Sequence, residues 1–355
     1  IILGGRGERM NGTKTRLAGV DVCKCIAIAL VLLIHASADV LTDCAPGSRS
    51  FLEALLWSAP ARCAVPLFLL CSGALLLDER RELPLKKLWG RNIPHLLLAL
   101  FFWAAAYAFV PYVRHGGLTP EALRGLCTEL LCWRHEAHLY FLPLILLTYA
   151  LLPVTRAFLR RADDQTVRYA LILWAFFGIL LPTAKNFGLL DSLGGIVRQM
   201  PLAMPWSAIG YTVLGDYLRR RPLSAKAVCA CILLGAAVCF GGTLALSLRA
   251  GALQAQLLEG FSPGACLLAA GVFSLCMRAR LPGWASKAAS VGSRASFCVY
   301  LVHILVLRIL YRAGLTTGIC RPLLSAPLLA ALCGVGSFAV WLILSRIPWV
   351  RRWLI

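Results

Sequence analysis

Asp21, Lys24 and His35 flank the apolar run Cys25 to Ile34, an acid, a base and an imidazole on one helix-length segment. An imidazole titrates near neutrality and can take the proton of a hydroxyl. It can also carry an acyl group as a covalent intermediate. Eleven steps of 100° bring His35 back to within about 20° of Lys24, and a rise of 1.5 Å per residue separates them by about 16 Å. Asp21 falls about 40° from His35 on the same face. A polar stripe on an apolar helix is costly in a membrane, so it normally faces a protein interior or a wet path and marks function. The plainer reading of the inner pair weighs as much: Asp21 and Lys24 sit i, i+3 and can form an interfacial ion pair, with the lysine snorkelling to the headgroups.

Other residues of chemical interest are spread along the chain. Lys86, Lys87 and Arg91 form a basic run before an apolar segment, with His95 one turn further on. His138, Tyr140 and Phe141 open another. Ser296, Tyr300 and His303 share a helical face, either lining a conduit or bonding one helix to the next. Ser72-Gly73 reads as a close helix contact, because it lacks the Gly-x-Ser-x-Gly elbow of a nucleophile. His115 and His135 read as solvated loop residues. No metal is expected, since neither the histidines nor the 15 cysteines have ligand spacing. Most cysteines lie in apolar runs, where they act as small apolar residues; a disulfide is open only to Cys44, Cys127 and Cys132.

The elements that must position these residues are membrane helices. The chain is 59% hydrophobic, with a mean hydropathy of +0.76, beyond the range of soluble domains. Ten spans are expected, near 22–40, 53–77, 92–112, 138–156, 168–183, 200–218, 227–247, 262–278, 296–312 and 324–345. The fifth is short and the sixth carries Pro201 and Pro205. The net charge of +20 does not point to nucleic acid. Most of the lysines and arginines fall in every second loop, the positive-inside pattern, which puts both termini in the cytoplasm and requires an even number of spans. The expected class is therefore an all-α polytopic bundle in the cell membrane. Residues 1–15 are expected to be an extraneous or disordered leader, with Met10 a plausible native start, and 16–355 the integral membrane domain. No cleavable signal is expected. Pro120 to Trp133 is expected to form an amphipathic extramembrane stretch.

Five segments in order resemble the membrane-bound acyltransferase 3 family. GVDVCKCIAIALVLLIHAS resembles its first span, in which an acid, a base three positions on and a histidine after ten further residues recur. VPLFLLCSGALLL, LPLKKLWGRNIPHLLLALFFW, HLYFLPLILLTYALLPV and GSRASFCVYLVHILVL are similar to its second span, basic loop, His-Leu-Trp-Phe-Leu segment and Ser-Phe-x-x-Tyr-Leu-x-His segment. The resemblance covers roughly residues 16–353. It implies transfer of an acyl group, acetyl being the one expected, from cytoplasmic acyl-CoA to a hydroxyl of an extracytoplasmic glycan or glycolipid. It implies His35 as base or acyl carrier, supported by Asp21 and Lys24. Lys24, Arg91, Lys86 and Lys87 would bind acetyl-CoA, since CoA is a polyanion. His138, Tyr140 and His303 would bind the acceptor. Membrane lipids and a separate envelope-biosynthesis protein are the implied partners, because some members carry an outer hydrolase-like domain after the last span.

Two positions depart from the pattern. Lys24 stands where the family often has arginine, keeping the charge but losing the bidentate fork. Tyr140 stands where many members have tryptophan, keeping an aromatic with a polar tip. The alternative is a transporter or substrate-binding module for a small solute such as an amino acid, because a related membrane domain is fused to serine racemases. A scaffold role ranks last, as it leaves the Lys24–His35 stripe without a purpose.

Overall fold

The computed structural model describes residues 17–114, 119–132, 136–192 and 195–355. The leader expected over 1–15, His115, His135 and the end of the amphipathic stretch at Trp133 lie outside the described residues. Those described form an all-helical bundle without strands, and nine helices are long and apolar enough to cross a membrane. The sixth expected span is present as a 17-residue helix, Met204–Arg220. At about 26 Å it is marginal for a bilayer. Pro205 sits in its first turn, and its last turns carry Asp216, Arg219 and Arg220.

Helix α1 (Ala18–Asp43) runs unbroken for 26 residues. Apart from Gly19 at its start it holds neither proline nor glycine. It is the hub, packing against α2 (Arg49–Ala61), α3 (Ala64–Leu76), α13 (Pro263–Arg278), α14 (Gly283–Arg312) and α15 (Pro322–Leu344). The expected second span is bent between α2 and α3, at Arg62 and Cys63. The sequence explains the bend: Pro66 has no N–H to offer the Arg62 carbonyl four residues back.

The same physics shapes two of the remaining spans. Short α4 (Leu85–Lys87) passes through a π-turn, Leu88–Asn92, into α5 (Ile93–Arg114). Pro94 there leaves the Gly90 carbonyl without its helical donor. A second π-turn, Phe176–Leu180, joins α8 (Asp164–Ala175) to α9 (Leu181–Asn186) just before Pro182. The fifth span is therefore longer than expected, Asp164–Asn186. A third, Ala237–Gly242, joins α11 (Ala225–Ala236) to α12 (Thr243–Ala250). Helix α6 (Pro120–Leu131) matches the expected amphipathic stretch, and α7 (Phe141–Arg161) follows a 3-10 turn, Ala137–Tyr140. Helix α14, 30 residues long, begins well before the expected ninth span. After α15, the short α16 (Pro348–Trp353) folds back on α5, where the His95 ring bonds the Arg352 carbonyl at 2.8 Å and Trp103 donates to the Leu354 carbonyl at 3.0 Å.

Helix α10 (Met204–Arg220) packs on α3 at backbone contact. A Cβ at Gly73 would collide with the Thr212 carbonyl, and one at Gly215 with that of Leu70. Small residues that admit backbone to backbone are how membrane helices associate without a hydrophobic drive. The packing reading of Ser72-Gly73 agrees: the Ser72 hydroxyl donates to the Phe68 carbonyl at 2.8 Å, leaving it no base. All 15 cysteines are free, Cys44, Cys127 and Cys132 included.

Candidate active site

The Lys24–His35 stripe lies inside the bundle over most of its length. Asp21 and Lys24 are 8% and 5% exposed, Ala27 and Val31 are buried on the way, and His35 is half-buried. The helix that carries them is continuous, so the rise of about 16 Å between Lys24 and His35 holds. Around the start of α1, Gly19 lies against the Cys276 carbonyl of α13, and the Cys71 thiol of α3 faces the Val20 carbonyl at 3.8 Å. Cys25 bonds the Ala289 carbonyl of α14 at 3.4 Å.

At the other end of the stripe three histidines from three separate segments converge. The ring of His35 lies 5.0 Å from that of His303 on α14. The ring of His138, from the turn before α7, lies 5.2 Å from His303. His138 and His303 are fully enclosed, at 5% and 0% exposure, while His35 keeps a face open. Aromatic side chains wall the cluster: Tyr107 of α5 meets His138 edge-on at 4.8 Å, and Tyr300 meets it at 6.0 Å.

Backbone carbonyls orient these rings. His303 Nδ1 is 2.7 Å from the Tyr300 carbonyl, which can only accept, so that nitrogen carries the proton. In the neutral ring Nε2 is then a bare acceptor, and it has no partner. His138 Nε2 is likewise buried without a partner. Tyr300 donates its hydroxyl to the His138 carbonyl, and Tyr107 donates to the Leu301 carbonyl at 2.8 Å. A buried polar atom without a partner costs free energy of order 1–3 kcal/mol. Two such nitrogens in one cluster leave bonding capacity that a ligand or a water could take up.

Beyond the rings, Arg308 of α14 pairs with Glu136 at 2.8 Å, and its guanidinium lies 5.8 Å from the centre of the Tyr107 ring. The pair ties the segment holding His138 to the helix holding His303. Tyr140 does not join the ring cluster and is 42% exposed. Ser296 bonds the Ser293 carbonyl within its own helix at 2.9 Å, so this bond does not join one helix to the next.

The basic residues before α5 are placed otherwise. Lys86, Lys87 and Arg91 are all exposed around the π-turn. Asn92 and His95, one turn further in, are each 3% exposed, with Asn92 Nδ2 and His95 Nε2 unpartnered. Among the described residues no group of histidine, cysteine or carboxylate side chains could hold a metal.

Arg62, Tyr107, Glu136 and Arg308 belong to this region and were not anticipated. Arg62 carried a readable signal, a cation in the middle of an apolar span. It lies at the α2–α3 bend, within electrostatic reach of His35 and Tyr140. Tyr107 carried none, being one aromatic among many in α5.

Compared with known protein families, the chain matches the model described as an acyltransferase domain over residues 17–346. No curated protein and no solved structure matches it.

Proposed function

The chain belongs to the family of that acyltransferase domain, and from that premise we propose that it moves an acyl group, acetyl first among candidates, from cytoplasmic acyl-CoA to a hydroxyl of a glycan or glycolipid outside. The observation that supports this reading is the convergence of His35, His138 and His303 at one end of a stripe whose other end is the buried Lys24. The donor enters at the Lys24 end, where Arg91, Lys86 and Lys87 stand at the surface for its phosphates. Asn92 and His95 lie where its extended pantetheine arm begins to pass inward. The stripe's length of about 16 Å suits that arm, so the thioester reaches His35 while the phosphates stay outside the hydrocarbon.

At His35 the chemistry is a proton-coupled acyl transfer. The acceptor hydroxyl gives its proton to the imidazole as its oxygen attacks the thioester carbonyl. The carbon–sulfur bond breaks, and the imidazolium returns the proton to the thiolate, leaving an ester and free CoA. Acyl transfer through His35 itself uses the same groups in two steps. His303 and His138, with bare Nε2 atoms, accept from other hydroxyls of the acceptor and so hold it against His35, and Tyr140 offers an aromatic face beside them.

The test mixes membranes containing the protein with radiolabelled acetyl-CoA and a cell-envelope fraction, with His35→Ala in parallel. Label reaching the envelope fraction only with intact His35 is the expected result. Label transfer that survives His35→Ala in folded protein overturns the role of His35. Solute flux without CoA release replaces the reading with transport.

A further inference from the structure

We propose that Arg62 is the recognition site for a negative charge on the acceptor, so that the hydroxyl acylated at His35 belongs to a molecule bearing a carboxylate or phosphate. The inference rests on the acyl-transfer reading and goes beyond it by naming the acceptor's chemical class.

Arg62 sits at the bend of the second span, where the missing N–H of Pro66 breaks the helical ladder. Its Nη2 donates to the Ser58 hydroxyl at 2.7 Å, while its Nε is buried and unpartnered. Among the described residues no carboxylate lies within ion-pair distance of it. A guanidinium is charged at any relevant pH, and a neutral hydroxyl does not offset the cost of holding it at membrane depth. Other guanidiniums of this chain in like settings are compensated. Arg219 has Asp216, and Arg156 has the Leu76 and Arg81 carbonyls.

Location identifies what supplies the missing anion. Helix α2 follows α1 after a five-residue turn and packs back along it, so Arg62, just past the end of α2, lies alongside α1 within electrostatic reach of His35 and Tyr140. The donor's phosphates remain at the Lys24 end, about 16 Å along the helix from His35, and its thioester is neutral. A ground-state anion beside Arg62 therefore comes with the acceptor. The planar fork of donors suits a carboxylate or phosphate oxygen pair, and Tyr140, within electrostatic reach of Arg62, is half-exposed.

The experiment passes label from radiolabelled acetyl-CoA to a whole envelope extract and separates the product on an anion exchanger. Retention of the labelled product is expected. Arg62→Gln should lower its formation about 10- to 100-fold through a raised acceptor KM with the donor KM unchanged. Arg62→Lys should restore part of it. Label in the neutral, unretained fraction overturns the proposal, as does an Arg62→Gln variant with an unchanged acceptor KM. Should the wild type acylate nothing, the acyl-transfer reading fails by itself and binding decides. Methyl glucuronoside should then raise the melting temperature of the solubilised wild type but not of Arg62→Gln, and methyl glucoside should raise neither. Equal shifts, or none, overturn the proposal. Where Arg62→Gln does not fold, Arg62→Lys stands in, with a weaker glucuronoside shift expected and an undiminished one overturning.

Discussion

Two polar regions of this bundle are built on opposite principles. Where α3, α8 and α10 end or begin, charges are matched to charges. Asp216, 3% exposed, takes Arg219 at 2.7 Å and Arg220 at 3.0 Å. Arg220 and Arg221 reach Asp164, and Arg219 and Arg80 reach Asp78. Around His35 three buried polar atoms are left open, His138 Nε2, His303 Nε2 and Arg62 Nε, against one, Arg219 Nε, in the first region. A matched network holds helices in register, whereas an open one keeps its bonding capacity for something that arrives. The first region should therefore answer to mutation in stability and the second in activity.

The sharpest way to break that contrast is His35→Ala. Transfer should fall by about 10²- to 10⁴-fold, the range carried by a positioned acid–base group. The melting temperature of the solubilised protein should stay near that of the wild type, because the half-exposed ring leaves little unsatisfied behind. A variant that melts early while keeping its activity per folded molecule would place His35 in the matched class.

Asp216→Asn is the mirror experiment. Removing one partner of a buried ion pair strands the other and costs about 3 kcal/mol, here shared by two arginines. Denaturant or thermal melts should shift downward, while the transfer rate per folded molecule stays within about twofold, since the site lies at the other end of α10's partner helices. Acid should do part of the same work through Asp78. Partial burial pushes its carboxyl up, but the Arg80 hydrogen bonds and the Arg219 charge outweigh that and hold it below the usual carboxylate range. A depressed carboxyl contributes stability above its unfolded pKa and loses it as pH falls through the folded value. The Asp78→Asn variant should therefore lose less stability than the wild type between neutral pH and the acidic end of a melting series.

The contrast also separates what was legible in the chain from what was not. The Lys24–His35 stripe could be read because helical periodicity relates residues on one helix, and α1 is long and straight. The elements followed hydropathy for the same local reason, and their ends shifted where proline or glycine rewrote the hydrogen bonding. Convergence could not be read that way. That His303 meets His35 depends on how α14 crosses α1, and that Glu136 meets Arg308 depends on residues 172 apart in sequence. The approach of α3 to α10 was hinted at by Gly73, but its partner Thr212 was not. Arg62 is legible as a cation at a span's middle, where topology does not explain a charge as it does at span ends.

His303→Gln sharpens the open region. The amide can still donate where Nδ1 does, toward the Tyr300 carbonyl, but it cannot accept and release a proton at neutral pH. Transfer should fall by about 10- to 100-fold, less than for His35→Ala, if His303 orients the acceptor and His35 moves the proton. The pH profile of kcat/KM should keep its shape, since the titrating group remains. A profile that loses its limb in His303→Gln, and keeps it in His35→Gln, would exchange the two roles.

The smallest effect is expected from the double variant Lys86→Ala, Lys87→Ala. Both side chains are exposed at the π-turn, where water and salt screen them. Topology by itself accounts for their charge. A point charge at such a site contributes attraction over distance more than a fixed contact, so the donor KM should rise about two- to threefold at low salt, with kcat unchanged. At about 0.5 M salt, where screening is complete within a few ångströms, wild type and variant should converge. Arg91→Ala, nearer the buried Asn92 and His95, should keep a difference in donor KM at high salt if its fork grips a phosphate. If all three positions respond to salt alike, the basic run serves topology and steering only, and the grip on the donor belongs to Lys24.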